Sequence, residues 1–248
     1  MSYEPLYTAD EMRAAEASYA GPTFELMERA GRGVAEEVLR RFPDTARVVA
    51  WCGTGANGGD GLVAAAQLAR AGKQSSVCLL GAEERIAGDA GVALGRAREA
   101  GVSFADRPAP ADVVVDALFG TGFAGKPRPE AARAIEALNQ SGAPVVAVDL
   151  PSGVDASTGR VDGPAVRAAA TVTFHGLKLG HVVAPGRFQA GDVVVVDIGL
   201  EHVPTRHRRA TAGILRLVPR RSERDNKYSA GSVLVVGDRK STRLNSSH

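Results

Sequence analysis

The feature that most constrains this chain is an alternation of short β-branched runs with alanine-rich stretches of helical length, from residue 47 to residue 198. Such runs are typical of strands buried on both faces, and the helical stretches between them cover those faces. Connections of this length indicate right-handed crossovers between parallel strands. The sequence therefore predicts a three-layer, Rossmann-like α/β domain with a mostly parallel central sheet.

Two helices are predicted ahead of this alternation. Thr8 and Glu11 fit a capping box that begins a helix running to about Ala20. Apolar residues at every fourth position from Leu26 to Phe42 predict a second, amphipathic helix. In the alternating region we predict strands at 47–52, 75–80, 112–118, 145–150, 171–175 and 192–198, and helices at about 60–71, 89–100 and 129–139.

Composition excludes several classes of protein. A formal net charge of +2 gives no electrostatic reason for a nucleic-acid or membrane partner. No run approaches the roughly 20 apolar residues of a membrane span, and the polar start of the chain predicts a cytoplasmic protein. Cys52 and Cys78 are isolated within apolar runs, which predicts reduced, buried thiols. We therefore expect a small-molecule substrate, and the sequence leaves a homo-oligomer open.

Ligands of such a sheet bind beyond the carboxyl ends of its strands, and the first of these ends is rich in glycine. The turn 53–61 contains a GxGxxG, which alone is typical of a dinucleotide fold. Asp60 would repel a pyrophosphate docked at the helix N-terminus that follows. Asp60 is therefore either an N-cap or a residue with another role in the site.

Acidic residues end the next strands. Asp116 needs compensation by a cation or by strong donors such as the backbone N–H groups of the turn 120–122. Asp149 ends an apolar strand, and Ser152 follows it. Asn57, Asp116 and Ser152 offer hard oxygen ligands suited to an alkali or alkaline-earth cation.

Two basic residues follow the fifth predicted strand. Lys178 would bind substrate phosphate or assist proton transfer, or would be a solvated loop lysine. His175 has no partner motif nearby and is interpreted as structural or supporting.

Together these motifs resemble the NAD(P)H-hydrate epimerase family. The resemblance extends from about residue 6 to residue 201 and rests on four ordered motifs: residues 26–31 (LMERAG), 57–61 (NGGDG), Asp116 with 119–122 (FGTG), and 149–153 (DLPSG). It implies interconversion of the S and R epimers of hydrated NADH and NADPH (NADHX and NADPHX), a metabolite-repair reaction without net redox change. Ala56 departs from the family, which usually has asparagine there.

The resemblance also implies a set of site residues. Potassium (K+) would be held by Asn57, Asp116 and Ser152. The substrate would be contacted by Ala56, Asn57, Gly58, Gly59, Asp60, Gly120, Thr121, Gly122, Phe123, Ala124, Gly125, Lys126 and Asp149.

The implied chemistry needs a group that protonates a departing hydroxyl and deprotonates the returning water. We expect Asp149 in that role, with Lys178 as the second catalytic candidate. Two alternatives are an NAD(P)-dependent oxidoreductase, favoured by the GxGxxG and by Glu83 and Glu84, and a non-catalytic scaffold module of the same fold. Against the oxidoreductase, the sequence shows no set of residues for hydride transfer. Against the scaffold module, a non-catalytic domain has no need for buried acids.

The predicted domain organisation has three parts. Residues 1–211 form the epimerase domain. Residues 212–237 resemble a linker and the first strand of a truncated ribokinase-like dehydratase domain, which would be fused to the epimerase in the full-length parent. Residues 238–248 are polar, lack a pattern and are interpreted as a non-native tail.

Overall fold

Strands and helices alternate through residues 2–105 and 110–217, the part of the chain that this computed structural model describes. The strands are β1 (Tyr3–Tyr7), β2 (Arg47–Cys52), β3 (Gln74–Leu79), β4 (Ser103–Phe104), β5 (Val113–Ala117), β6 (Val145–Val148), β7 (Ala170–Phe174), β8 (Leu177–Lys178), β9 (Asp192–Val196) and β10 (His207–Ala210). The α-helices are α1 (Ala9–Ala17), α2 (Thr23–Arg41), α3 (Ala56–Arg70), α4 (Gly88–Glu99) and α5 (Pro129–Gln140).

A parallel sheet of seven strands forms the centre of the fold, in the order β4-β3-β2-β5-β6-β7-β9. All six predicted strands are present, with ends within two residues of those predicted. The predicted Rossmann-like α/β class with a parallel central sheet is confirmed. The two-residue strand β4 was not predicted, because so short a strand carries no periodic pattern.

Both faces of this sheet are covered, as its apolar strands require. Every residue of β5, β6 and β7 is buried. Successive residues of β5 alternate between two cores: Val113 and Val115 pack with α2, α3 and α4, whereas Val114 packs with Ile135 and Leu138 of α5. The result is three layers, with the carboxyl ends of the strands free to carry a site.

Helix α3 begins earlier than predicted, at Ala56 with Gly55 as its N-cap. The expected start at residue 60 and the N-cap interpretation of Asp60 are therefore wrong. Glycine at these positions allows close approach: a Cβ on Gly58 would lie 1.9 Å from the Gly53 carbonyl oxygen, and one on Gly61 would lie 2.4 Å from Ala117 Cβ. This packing fixes the first turns of α3 against the ends of β2 and β5.

A smaller sheet brings the start of the chain to the same edge. The capping box at Thr8 is confirmed, and α1 ends at Ala17. Strand β1 pairs in parallel with β8, in the register Leu6↔Leu177 and Tyr7↔Lys178. The strand order is β10-β1-β8. These strands were not predicted, since they are short and β8 is only two residues long.

The chain divides into two compact units, Pro5–Arg209 and a unit made of Met1–Glu4 with Ala210–His248. In the second unit, Thr211 N–H donates to the Ser2 carbonyl at 3.1 Å and residues 212–217 form a 3-10 helix. The predicted dehydratase strand and the tail at 238–248 lie outside the described residues.

Two further predictions concern the cysteines and membrane-spanning helices. Cys52 and Cys78 are buried thiols that form no disulfide within the described residues, as predicted, and burial raises the pKa of the Cys52 thiol. Among the described helices, none is long and apolar enough to cross a membrane.

Candidate active site

A cavity of about 630 Å³ lies at the carboxyl ends of the central strands, where the fold predicts a ligand. Its wall includes Met12 and Glu16 of α1 as well as the loops that follow β2, β3, β5 and β6. Of the predicted site residues, it is lined by Ala56, Asn57, Asp60, Gly120, Thr121, Gly122, Phe123, Ala124, Lys126, Asp149 and Lys178. Gly58, Gly59, Gly125, Asp116 and Ser152 are not part of this lining.

Asp149 is held at the cavity by donors from three directions. Its Oδ1 lies 2.8 Å from Lys178 Nζ and accepts the Thr173 hydroxyl at 3.0 Å, while Oδ2 accepts the Thr121 N–H at 3.0 Å. The residue is buried. A carboxylate with this many donors has a fixed position and a defined charge.

The backbone of Asp149 is also constrained. The residue is the first after β6 and is left-handed, with φ 64°, whereas we expected it to end the strand. Its N–H donates to the Val172 carbonyl at 2.7 Å, and its carbonyl lies 2.8 Å from His181 Nε2. Left-handed backbone is uncommon outside glycine, and such strain concentrates at functional sites.

His181 is the neutral Nε2–H tautomer in this arrangement. Its Nδ1 accepts the backbone N–H of Lys178 at 3.0 Å, and its Nε2–H donates to the Asp149 carbonyl. These roles follow because the first partner can only donate and the second can only accept. Burial, followed by the charge of Lys178, lowers the pKa of His181 to about 4. One imidazole thus connects the backbones of the two predicted catalytic residues.

Lys178 is 1% exposed and belongs to β8, so its interpretation as a solvated loop lysine is wrong. Its Nζ lies 2.8 Å from each of three oxygens, on Asp149, Thr173 and the Phe174 carbonyl. The three N–H donors of the ammonium group therefore each have an oxygen acceptor. The buried lysine is therefore a fixed positive charge beside the Asp149 carboxylate.

The carboxyls at the cavity differ in the direction of their pKa shifts. Burial favours the neutral form of Asp149, but the charge and hydrogen bond of Lys178 outweigh it and hold the pKa below the usual range. Burial and the charges of Asp149 and Glu16 raise the pKa of Asp60 well above its usual range. Asp60 has no hydrogen-bond or ion-pair partner in the described part of the chain. The two carboxyls thus have pKa values shifted in opposite directions on one cavity.

Glu16 is a third carboxyl at the cavity, contributed by α1. Loss of solvation and the charge of Asp149 raise its pKa, while Lys178 and Arg13 act in the opposite direction. Its position depends on the pairing of β1 with β8, which brings α1 to the site.

Asp116 lies behind the cavity and is fully buried. The Ser152 hydroxyl donates to its Oδ1 at 2.6 Å and the Ser152 N–H donates to its Oδ2 at 2.8 Å, with a longer bond of 3.3 Å from the Leu118 N–H. The donors therefore come from Leu118 and Ser152, not from the turn 120–122 as the alternative expected. Burial raises the pKa of Asp116 to about 6, although these hydrogen bonds lower it in part.

Two further polar side chains, Asn57 and Ser152, adjoin the loop that follows Asp116. No group of three His, Cys, Asp or Glu residues that could hold a metal occurs among the described residues. Asn57 Nδ2 is buried and has no hydrogen-bond partner among the described residues. Asn57 Oδ1 is close to Gly120: a Cβ added to that glycine would lie 2.6 Å from it. Phe119, next to Gly120, donates its N–H to Ser152 Oγ at 2.9 Å. One carboxylate, one amide and one hydroxyl are thus connected through a single loop, and their oxygens suit K+.

Comparison with known proteins decides the family. Residues 23–180 match the family described as YjeF-related protein N-terminus. The chain belongs to this family. The match covers the four motifs on which the resemblance to NAD(P)H-hydrate epimerases rested. The family predicted from sequence is therefore confirmed.

Curated relatives of this YjeF-related domain are named bifunctional NAD(P)H-hydrate repair enzyme Nnr. The Moorella thermoacetica protein is 42% identical and aligns with 94% of this chain and 48% of its own length. The Mycobacterium tuberculosis H37Rv protein is 40% identical, over 93% of this chain and 49% of its own length. The chain therefore spans about half the length of these relatives.

A solved structure supports the fold of the YjeF-related domain. The crystal structure of yeast ynu0, YNL200c, matches with a TM-score of 0.66 at 23% identity, over 84% of this chain and all of that one. At this identity the likeness establishes the architecture alone.

Three residues of the YjeF-related site were missed from sequence. Thr173 lies inside a buried strand, Glu16 on a helix distant in sequence, and His181 in a 3-10 turn. Only His181 carried a signal, as a histidine three residues after Lys178. His175, interpreted as structural, is half-buried with φ 65°, and its ring lies 5.0 Å from that of Tyr7.

Proposed function

We propose that this chain interconverts the S and R epimers of hydrated NADH and NADPH. Support comes from its membership of the YjeF-related family and from the names of its curated relatives, which are NAD(P)H-hydrate repair enzymes. Because the chain spans about half of those relatives, a fused dehydratase activity stays a prediction about the full-length parent.

The observation that carries the proposal is a pair of carboxyls on one cavity, Asp149 beside Lys178 and Asp60 near Asp149 and Glu16, whose surroundings shift their pKa values in opposite directions. The charge of Lys178 lowers the pKa of Asp149, whereas burial and the charges of Asp149 and Glu16 raise the pKa of Asp60. Titratable groups whose environments push their pKa values apart are typical of acid–base catalysis. Such a pair can transfer protons without a redox partner.

The substrate carries a hydroxyl on the ring carbon next to the nicotinamide nitrogen. The lone pair of that nitrogen can expel the hydroxyl once it is protonated, which leaves a planar iminium ion and water. Addition of water to the opposite face, with loss of one proton, gives the other epimer. Atoms and charges balance, and no electron is transferred.

The residues of the chain divide these steps. Asp60 donates the proton to the departing hydroxyl, and Asp149 accepts one from the returning water. The reverse reaction uses the two groups in exchanged roles, and proton exchange with solvent restores their starting state. Lys178 and Thr173 orient Asp149 throughout. The carboxylates also stabilise the positive charge of the iminium ion. The glycine-rich turns around Gly55 and Gly122 have room at the Cβ positions of these two residues, so backbone N–H groups can approach the phosphates.

A potassium ion belongs to the same proposal. Asn57, Asp116 and Ser152 would hold it, and it would supply positive charge that compensates Asp116 and fixes the loops after β5 and β6. The cytoplasmic location and the oligomeric state stay predictions.

Two alternatives make different predictions. An NAD(P)-dependent oxidoreductase would oxidise or reduce its nucleotide, and a scaffold module would convert nothing. Glu83 was one of the two acids that favoured the oxidoreductase. Arg98 Nη2 donates to its Oε1 at 2.6 Å and to its Oε2 at 2.8 Å. The names of the curated relatives favour neither alternative.

The test follows each purified epimer of hydrated NADH and NADPH by chromatography in the presence of the protein and no other nucleotide. We expect the same mixture from both starting epimers, with no oxidised nucleotide formed. Formation of oxidised nucleotide would support the oxidoreductase, and conversion no faster than without protein would support the scaffold.

A further inference from the structure

Three cationic side chains line the cavity without partners of their own. Arg85, Lys126 and Arg128 are exposed on its wall and make no side-chain hydrogen bond or ion pair in the described part of the chain. By contrast, nearby Arg98 pairs with Glu83. Glu130 lines the cavity beside Arg128, whereas Arg85 is the charged lining residue of the loop after β3, so that end of the cavity favours an anionic ligand.

The order of the strands places Arg85 on the far side of the glycine turn from Asp149. Strand β3, which precedes Arg85, lies on one side of β2, and β5, which precedes Lys126 and Arg128, lies on the other. Asp149 follows β6, three strand spacings from β3, or about 14 Å at the usual spacing. The glycine turn after β2 lies between them. The edge therefore presents, in order, Arg85, the glycine turn together with Asp60, the loop with Lys126 and Arg128, and Asp149.

The loop after β3 presents Arg85 and not its acidic neighbours. Both oxygens of Glu83 are engaged by Arg98, and Glu84 is exposed but does not line the cavity. Gly81, with φ +110°, brings this loop to the glycine turn, since a Cβ there would be 3.1 Å from Thr54 Cγ2. In nucleotide-binding sheets of this type, an acidic residue beyond the first βα turn binds a free ribose 2′-hydroxyl, and an arginine accommodates a 2′-phosphate.

We propose that Arg85 binds the 2′-phosphate of hydrated NADPH, so that the site favours hydrated NADPH over hydrated NADH. The inference rests on the proposed function for its substrate, and it adds the residue that selects between the two nucleotides. The order along the sheet edge matches the order of groups in the substrate: 2′-phosphate, pyrophosphate, nicotinamide.

The test measures binding and turnover separately. Calorimetry compares adenosine 2′,5′-bisphosphate with 5′-AMP on the wild-type chain and on Arg85→Met. Arg133→Met is the matched control, because Arg133 is exposed on α5 and outside the cavity. We expect the wild type and the control to bind the bisphosphate roughly 10- to 100-fold more tightly than 5′-AMP, the range of one charge-assisted contact. Arg85→Met should lose that ratio while keeping its affinity for 5′-AMP.

The second arm measures epimerisation of hydrated NADPH and hydrated NADH. Arg85→Met should raise KM for the phosphorylated substrate with little change in kcat, and Arg85→Lys should restore part of the preference. Equal wild-type binding of the two nucleotides, or a ratio that survives Arg85→Met, would overturn the assignment. Discrimination between the nucleotides without any epimerisation would overturn the proposed function and leave the phosphate site standing.

Discussion

Asp116 and Asp149 are buried acids at the ends of neighbouring strands, yet their surroundings give them opposite properties. Around Asp116 the described donors are uncharged, and its pKa is raised to about 6. Asp149 contacts the ammonium group of Lys178, and its pKa is held below the usual range. The comparison teaches that position in the sheet brings an acid to the site, whereas partners from neighbouring strands and loops set its pKa. We propose a cation beside Asp116 and proton exchange at Asp149.

The largest expected effect on stability comes from removing the charge partner of Asp149. Lys178→Met leaves a buried carboxylate uncompensated, so the free energy of unfolding should fall by about 3–5 kcal/mol. Denaturant unfolding measures it, with Lys73→Met as a control that changes stability by no more than about 0.5 kcal/mol, because Lys73 contacts only the Pro43 carbonyl at the surface. If Lys178→Met were as stable as the wild type, Lys178 would not be the charge that compensates the buried Asp149 carboxylate.

The next effect is a pH dependence caused by His181. Its pKa is about 4 in the folded chain against 6.5 as the ordinary value. The folded state therefore disfavours the protonated imidazole. Its contribution is fully present above about pH 6.5 and is lost as the pH falls to about 4, which amounts to roughly 3 kcal/mol.

His181→Gln isolates this contribution, since glutamine does not titrate. We expect the loss of stability between pH 6.5 and 4 to be smaller in this variant than in the wild type, while His207→Gln, at an exposed position, follows the wild type. Parallel curves for all three proteins would show that His181 does not connect Asp149 and Lys178 as a neutral imidazole.

A smaller effect tests the other acid. Ser152→Ala removes the hydroxyl bonded to Asp116 and should lower the free energy of unfolding by about 1–3 kcal/mol. Potassium should raise Tm of the wild type more than sodium or lithium does, and Ser152→Ala should lose most of that difference. Ser141→Ala, at an exposed position, serves as control. Equal Tm and equal rates of the wild type in all three salts would contradict the potassium site.

The smallest effect on stability is expected at Asp60. Because the Asp60 side chain makes no hydrogen bond or ion pair with the described residues, Asp60→Asn should change the free energy of unfolding by less than about 0.5 kcal/mol. Its rate of epimerisation should still fall roughly 100-fold, because the amide cannot donate the proton. If Asp60→Asn epimerised the substrate as fast as the wild type, another group would donate the proton to the departing hydroxyl.

Much of the fold could be predicted because its strands are buried on both faces. Runs such as 113–117 and 145–148 have few other structures open to them, and the acids that end them are visible as interruptions of apolar sequence. Asp116 and Asp149 were found in this way.

The rest depends on tertiary contacts that leave no local pattern. Glycine disfavours helix, so the start of α3 was placed too late, whereas packing on β2 and β5 selects glycine there. Lys178 gave no sign of burial, since its partners come from Asp149 and Thr173 and its strand is two residues long. His181 was missed because its partners are backbone groups.

The most direct test of the account is the rate of epimerisation per folded molecule of Asp149→Asn, with Tm and turnover measured on one preparation. The substitution leaves Lys178 without its charge partner, so stability should fall as well, and the rate must be divided by the folded fraction. Asp192→Asn, an exposed acid paired with Arg41, is the control. We predict a rate per folded molecule at least about 100-fold below that of the wild type. A destabilised variant with the full rate per folded molecule would contradict the role of Asp149 in proton exchange.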